Sequence, residues 1–498
     1  MAPSDAKHSS LTTFMTILTT LVEAAYGGLA RCSPLDAWRW FERLQRHNSW
    51  TAERIGSYRC ERLVELVRHA GTAVPFYRQL WSNAGIDPAR IRTFEDLRDL
   101  PVVSKHLLID AQQRDAFALK NRSDYQFTHT SGTTGPRLGL PFSRGDLQKK
   151  YASFLREYYA TGWRLGIRSA ALHYAGHPEF GGRYTGQPDH DSFVLMRWLA
   201  FRFAHRRRLL KPWSTRTYDG TEELPALWYR TLLRHRPWLL ESMDFNLIAL
   251  YRYLKRKQLE PPRIPVMFVL ATLARPLRDR LERFFGGRIY NRFGPHEIEG
   301  VAFPCAQREG LHVATDVVHV EVLDDRDQPV PAGHRGHLVL TDLDSRLMPL
   351  IRYRIGDMGR LLDHPCACGS PFPLMSDVEG RTRDRLLCAS GEWVPGAVLV
   401  QVLQSIEGLE LFQLLQDESG AVEFRLAPSD APCLAGLRAT VTRAIAAVLG
   451  DTTAMRLRAD RPLELETNGK FGFLRRFDDV GQSDKLSAVG ECSAHGRA

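Results

Sequence analysis

The run His129-Thr130-Ser131-Gly132-Thr133-Thr134-Gly135-Pro136-Arg137 limits the choice of fold more than any other stretch of the chain. A short apolar approach ends near Phe127, and hydroxyl-bearing residues and glycines then take over up to Gly139, which predicts a loop leaving a strand. Glycines let a backbone fold tightly enough for several N–H groups to converge on phosphate oxygens. The hydroxyls of Ser131, Thr133 and Thr134 add donors at the same place. A flexible surface linker has the same composition, so the loop taken alone fits either description.

The surrounding pattern is that of a globular protein with more than one core. Of 498 residues, 44% are hydrophobic and 25% charged, so burial is not limiting. From Ser57 to Leu108 the periodicity is helical, with Leu63, Leu66 and Val67 on one face and a break at Val74-Pro75-Phe76-Tyr77. Pro276 to Phe285 places Leu277, Leu281, Phe284 and Phe285 on one helical face, opened by Pro276 and closed by Gly286-Gly287; a strand Arg288-Ile289-Tyr290 follows. Val318, Val320 and Val322 alternate with His319 and Glu321, and His337 to Thr341 follows the turn residues Pro331 to Gly336, which predicts a β-rich subdomain. Beyond Gly380 the order becomes Leu411–Leu415, a turn near Gly420, Val422–Leu426, a helix carrying Leu437, Val441, Ile445 and Val448, then Met455–Leu457. This β-β-α-β series is able to close a core of its own.

The expected organisation is therefore a helical extension over residues 1–56, a large domain over 57–383, a small domain over 384–480 and a disordered polar tail over 481–498. The formal net charge of +10 favours anionic partners without choosing among them. The most basic stretch, Arg202 to Lys211, is expected to be a solvated face, and no zinc-finger pairs, basic heptads or ribonucleoprotein aromatics accompany it, so no nucleic acid is expected. Leu11 to Ala30 is apolar but diluted by five threonines and broken by Glu23, which fits an amphipathic or partly buried helix better than a signal peptide. No stretch is long enough to span a membrane, although surface association stays open. Eight scattered cysteines do not form the framework of a small secreted domain, and a reducing cytoplasm is the expected setting.

Four further segments follow the first loop in fixed order: Phe293-Gly294-Pro295-His296-Glu297, Arg352-Tyr353-Arg354-Ile355-Gly356-Asp357, Gly380-Arg381-Thr382-Arg383-Asp384 and Asn468-Gly469-Lys470. Together the set resembles the adenylate-forming superfamily of acyl-CoA synthetases, luciferases and nonribosomal peptide adenylation domains. Within it the chain resembles the phenylacetate-CoA ligase group, including relatives in capsular-polysaccharide clusters. That likeness rests on Val74-Pro75-Phe76-Tyr77, Leu100-Pro101-Val102-Val103-Ser104-Lys105, Cys305 with Gly310-Leu311-His312, and Met348-Pro349-Leu350-Ile351-Arg352-Tyr353, and it runs from about residue 57 to 477.

The resemblance implies an α/β fold with mixed α+β subdomains, in which a small C-terminal lid closes on a large adenylate-forming domain. It implies that Thr130, Ser131, Gly132, Thr133, Thr134 and Gly135 hold the phosphates of ATP, and that Glu297 binds the magnesium ion bridging them. A carboxylate suits such a hard cation. Asp357 would accept from the ribose hydroxyls with Arg381 nearby, and Lys470 would meet the substrate carboxylate and α-phosphate where negative charge grows. Rotation about a hinge at Asp384 would then withdraw Lys470 and admit an acceptor, with coenzyme A the leading expectation. The alternatives are transfer to an amine or carrier protein, transfer of AMP itself, or an inactive scaffold of the same fold.

Cys305, His312, Cys366 and Cys368 offer three thiolates and an imidazole, the ligand set of a structural zinc site, although Cys-Ala-Cys is tighter than the usual spacer and buried free thiols are the alternative. His173, Tyr174, His177 and Phe180 stand where an aromatic wall of the acyl pocket is expected, although an aromatic cluster is at least as often ordinary core. Departures from the group's pattern are Pro136 directly after Gly135, His296 in place of Thr or Ser, and Ala271-Thr272 in place of Gly-Glu, which point to an altered substrate or acceptor.

Overall fold

A computed structural model describes residues 37–117, 119, 125–130, 137–173, 207–213, 217–382, 384–427, 430–466 and 469–476. The expectations for Leu11–Ala30, Ser131–Gly135, Tyr174, His177, Phe180, Asn468 and residues 481–498 lie outside the described residues.

The chain enters through helices α1 (Ala37–His47), α2 (Ala52–Ala73), α3 (Pro75–Asn83) and α4 (Lys105–Gln113). Thr51 caps α2 by accepting from the Arg54 N–H, and Pro75 opens α3, so the Val74-Pro75 break separates two helices. α2 spans the junction expected at residue 57. Strands β1 (Tyr125–His129) and β2 (Gly139–Ser143) pair antiparallel on either side of the Ser/Thr/Gly loop, and α5 (Arg144–Ala160) follows with a Ser143/Asp146 capping box.

The central sheet is parallel and built from β3 (Ser169–Leu172), β4 (Arg207–Leu209), β6 (Leu239–Ser242), β7 (Val266–Val269) and β8 (Arg288–Asn291) in the order β4-β3-β6-β7-β8; the short β5 (Thr217–Tyr218) lies outside it. Its crossovers include α6 (Glu223–His235), α7 (Asp244–Arg256) and α8 (Arg275–Phe285). β3, β6 and β7 are buried along their whole length, as parallel strands covered on both faces must be. Pro276 lies in the first turn of α8, and Gly286 ends it at φ +64°. The next residue, Gly287, passes so close to β7 that a Cβ would lie 1.7 Å from the Ile264 carbonyl oxygen, so only glycine admits this turn.

The β-rich part holds β9 (Ala302–Pro304), β10 (Leu311–Val313), β11 (Val318–Leu323), β12 (Gly336–Asp342), β13 (Tyr353–Gly359) and β14 (Leu374–Met375), arranged as sheets β14-β10-β9 and β11-β12-β13. The alternation in β11 buries Val318, Val320 and Val322, as the period of two demands. The C-terminal part begins with the hairpin β15 (Arg385–Leu387) and β16 (Trp393–Pro395), followed by α9 (Gly396–Ser405). It continues through β17 (Gln413–Gln416), β18 (Val422–Arg425), α10 (Ala431–Leu449), β19 (Met455–Arg458), β20 (Leu463–Glu464) and β21 (Leu474–Arg476). A sheet in the order β19-β18-β17-β21 packs with α9 and α10 around Leu399, Leu403, Phe412, Phe424, Val441 and Ile445, a cluster distinct from the main cores. Among the described residues no helix is long and apolar enough to cross a membrane.

Candidate active site

Four of the expected site residues converge from separate elements. Asp357 lies on β13 and forms a β-bridge with Arg381, whose Nε is 3.7 Å from the Asp357 carboxylate. Burial pushes the Asp357 carboxyl up to about 6, while Arg381 pulls it the other way. Glu297 accepts from the Tyr353 hydroxyl at 3.2 Å. The preceding residue, Arg352, has φ +48° and is buried in a bidentate pair with Glu321 at 2.9 and 3.1 Å, which anchors the start of β13. Arg352 is therefore a structural member of its motif.

Lys470 arrives from the C-terminal part on the loop between β20 and β21. The Glu466 N–H donates to the Lys470 carbonyl at 2.8 Å, and a bridge joins Leu465 to Phe471. The loop is fixed to the rest of the fold at two places: β20 pairs antiparallel with β5, and Phe471 stacks on Phe245 with centroids 4.8 Å apart. Burial lowers the pKa of the Lys470 ammonium, as does Arg381, while Glu466, Glu297 and Asp357 favour its charge. Lys470 is thus within electrostatic reach of Glu297, Asp357 and Arg381. Asp244, at the start of α7, is pushed up to about 6 by burial against the pull of its own and neighbouring N–H groups and of Lys470.

The loop carrying Glu297 is pressed against α5. A Cβ at Gly300 (φ +71°) would lie 2.3 Å from the Ser153 Cβ, so this close approach requires glycine. Lys150 of α5 donates from Nζ to the His296 carbonyl at 2.7 Å and stands 3.6 Å over the Phe142 ring. Burial lowers Lys150 to about 8; burial, then Lys150 and Lys470, lower His296 to about 3, leaving the imidazole neutral near pH 7. Thr130 closes the neck of the Ser/Thr/Gly loop: its N–H donates to the Leu138 carbonyl at 2.9 Å and its hydroxyl oxygen accepts from the Leu138 N–H at 3.1 Å. Asp384, beyond Arg381, donates its N–H to the Arg381 carbonyl at 3.1 Å and accepts from the Gly396 N–H at 2.6 Å.

In the basic stretch ending at Lys211, Arg208 and Lys211 are exposed, while Arg207 is buried and lies 3.6 Å from Glu241. His173 is fully buried with Nε2 3.1 Å from Glu241. A carboxylate within a buried strand draws both bases inward, since such a charge must be paired. Tyr353, Lys150 and Asp244 were not assigned from sequence. Tyr353 could have been found, because it sits inside the motif that supplies Asp357.

Cys305 at the end of β9, His312 on β10 and the turn carrying Cys366 and Cys368 bring four ligand atoms within 4.8 Å of one another. Cys305 and Cys366 sulfurs are 3.5 Å apart, and Cys368 sulfur is 3.3 Å from His312 Nε2. His312 Nδ1 faces the Phe372 carbonyl at 3.0 Å, which fixes the tautomer that leaves Nε2 free as a ligand. Burial raises both Cys305 and Cys366, the latter to about 12.

No protein-family model matches the chain. Among solved structures it is similar to 2-hydroxyisobutyryl-CoA ligase in the postadenylation state, with TM-score 0.71, 19% identity and coverage of 90% of this chain and 94% of that one. The same ligase with coenzyme A in the thioesterification state gives TM-score 0.58 at 21% identity, covering 89% and 94%. The chain has the adenylate-forming ligase fold. Among curated proteins it is similar to phenylacetate-coenzyme A ligases, at 27% identity for that of Thermus thermophilus (74% of this chain, 80% of the relative) and 26% for that of Escherichia coli (68% and 73%).

Proposed function

We propose that the protein activates a carboxylic acid with ATP through an acyl-adenylate, releases pyrophosphate and transfers the acyl group to coenzyme A. The observation that carries this reading is the meeting of Glu297, Asp357 and Arg381 with Lys470, which reaches them from the other end of the chain. One carboxylate oxygen of the acid attacks the α-phosphorus, and the bond from that phosphorus to the pyrophosphate oxygen breaks. Lys470 supplies positive charge beside the attacking carboxylate and the α-phosphate, where charge accumulates. Asp357 accepts from the ribose hydroxyls and Arg381 completes the ribose and phosphate contacts, while the loop from Thr130 to Gly135 holds the phosphates.

An oxygen donor such as Glu297, steadied by Tyr353, suits magnesium, which when bound neutralises charge on the leaving pyrophosphate. The second half-reaction requires Lys470 to withdraw, and the assigned hinge is Asp384, at the start of a small domain over 384–480. Cys305, His312, Cys366 and Cys368 would hold a structural zinc ion: three thiols and an imidazole lie close together, three of the four residues are buried, and the His312–Phe372 contact is the expected outer support.

The test is pyrophosphate release over a panel of acids, with and without coenzyme A. Acid-dependent release followed by thioester formation is the expected result. Release unaffected by coenzyme A, with product on an amine or carrier protein instead, would replace the acceptor. Silence with every acid in protein that also fails to bind AMP would leave an inactive scaffold.

A further inference from the structure

Lys470 can act only if the C-terminal part is held in register on the rest of the fold, and helix α7 carries contacts that do this. Phe245, in its first turn, stacks on Phe471, the neighbour of Lys470. Arg252 lies about two turns further along, on the same face of the helix. Its guanidinium pairs with the carboxylate of Asp430, which stands at the start of α10. Lys255, one turn beyond, is 3.6 Å from Glu407, just after α9. One edge of α7 thus meets three separate segments of the C-terminal part.

These contacts differ in weight. Lys255 and Glu407 are exposed, and such a pair contributes little. The side chains of Arg252 and Asp430 are only 11% and 5% exposed. An aspartate at the N-cap ordinarily turns its carboxylate onto the first N–H groups of its own helix, yet Asp430 makes no such hydrogen bond and faces Arg252 instead. Its charge is committed to another element in place of a local cap. Two charges out of water depend on each other: losing one partner leaves the other uncompensated, whereas neutralising both is often mild. α7 packs with the parallel sheet around Ile248, Met267 and Val269, while α10 packs with β17 and β18 around Phe412, Phe424, Val441 and Ile445. The pair joins two clusters that are each closed without it, so its loss acts on their mutual placement.

Resting on the adenylation reading above, we propose that Arg252 and Asp430 are positioning residues for adenylation. Their pair sets the register of the C-terminal part on α7 and so holds Lys470 beside Asp357 and Arg381. It touches no substrate and has no part in acyl transfer from a formed adenylate.

The experiment compares wild type, Arg252→Met, Asp430→Asn and the double variant as full-length proteins. Asparagine is as good an N-cap residue as aspartate, so the second change tests the pair and not the helix. Hydrogen exchange reports the docking without any ligand, because β5 and β20 pair across this contact, Tyr218 opposite Leu463 and Thr217 opposite Glu464. Each single variant should speed exchange of the β5 and β20 amides by at least ~10-fold with β6, β7, β17 and β18 unchanged, and the double variant should recover most of the difference. Single-turnover pyrophosphate release, run with the acid to which the wild type responds, should fall by at least ~10-fold in the single variants, while acyl transfer from preformed adenylate stays within ~3-fold. Unchanged β5 and β20 exchange in both single variants, or a double variant as damaged as the two singles combined, overturns the proposal and leaves the adenylation reading standing. Faster exchange throughout the chain would make the pair a general structural one and also overturn it. If β5 and β20 respond as expected but the wild type neither binds AMP nor releases pyrophosphate with any acid, the adenylation reading fails and the positioning role fails with it.

Discussion

Replacing Lys470 with alanine separates the two half-reactions. The side chain is half-buried, and both desolvation and Arg381 oppose its charge, so the site holds an ammonium at some electrostatic cost to itself. Such a group is useful where negative charge appears during reaction. Loss of one preorganised partner for transition-state charge typically lowers the rate by about 10²–10³-fold. Arg381 stays beside the same groups and keeps part of the positive field, so the lower end applies: ~100-fold, or about 2.7 kcal/mol of barrier. The substitution leaves Gly469 and the Phe471–Phe245 stack intact, so the melting temperature should change little. The assay is single-turnover pyrophosphate release, run beside acyl transfer from preformed acyl-adenylate. The second rate should fall by less than ~10-fold, because the proposed rotation withdraws Lys470 before thioester formation. Equal loss in both rates, or unchanged adenylation, would refute the assignment.

Three further outcomes are expected. In its proposed role Asp357 accepts from the ribose hydroxyls more strongly when ionised, and burial raises its carboxyl to about 6, so AMP affinity should be full above that pH and decline as pH falls through it. Asp357→Asn should bind AMP weakly with a flat profile; a wild-type affinity unchanged between pH 5 and pH 8 would contradict this role, the range being about two units around the shifted value. Protein purified without added metal should contain zinc at about one ion per chain, and Cys366→Ser should lower zinc content and melting temperature together; zinc-free wild type with the same melting temperature would remove the site. Asp384→Pro removes an N–H that donates to the Arg381 carbonyl and fixes φ near about −65°, so adenylation should suffer more than acyl transfer. Two wild-type rates in a folded variant would move the hinge elsewhere.

Local chemistry was legible where one element carried its own signal. Pro276 and Gly286 delimit α8, and the alternating valines define β11. The central sheet was harder to read. β3 is the small-residue run Ser169-Ala170-Ala171-Leu172, and β6 carries Glu241, so neither shows the apolar run that marks a buried parallel strand. β5 and β20 are each a two-residue strand whose pairing joins distant parts of the chain, information that no local window contains. The site divides in the same way. Ordered motifs pointed to Glu297, Asp357, Arg381 and Lys470, but Lys150 reaches the loop of Glu297 only when α5 packs on the segment after β8.

Docking of the Lys470 loop has a thermal consequence. Leu463 and Leu465 share a core with Tyr218, Trp228 and Phe245 of the large domain, and Phe471 packs against it. If the proposed rotation swings the loop away, it exposes this apolar surface to water, which raises the heat capacity of the open form. The closed arrangement is then favoured mainly by entropy near room temperature and loosens on cooling. Adenylation, which uses the closed arrangement, should therefore fall off more steeply in the cold than acyl transfer does, and the Arrhenius plots of the two half-reactions should diverge at low temperature.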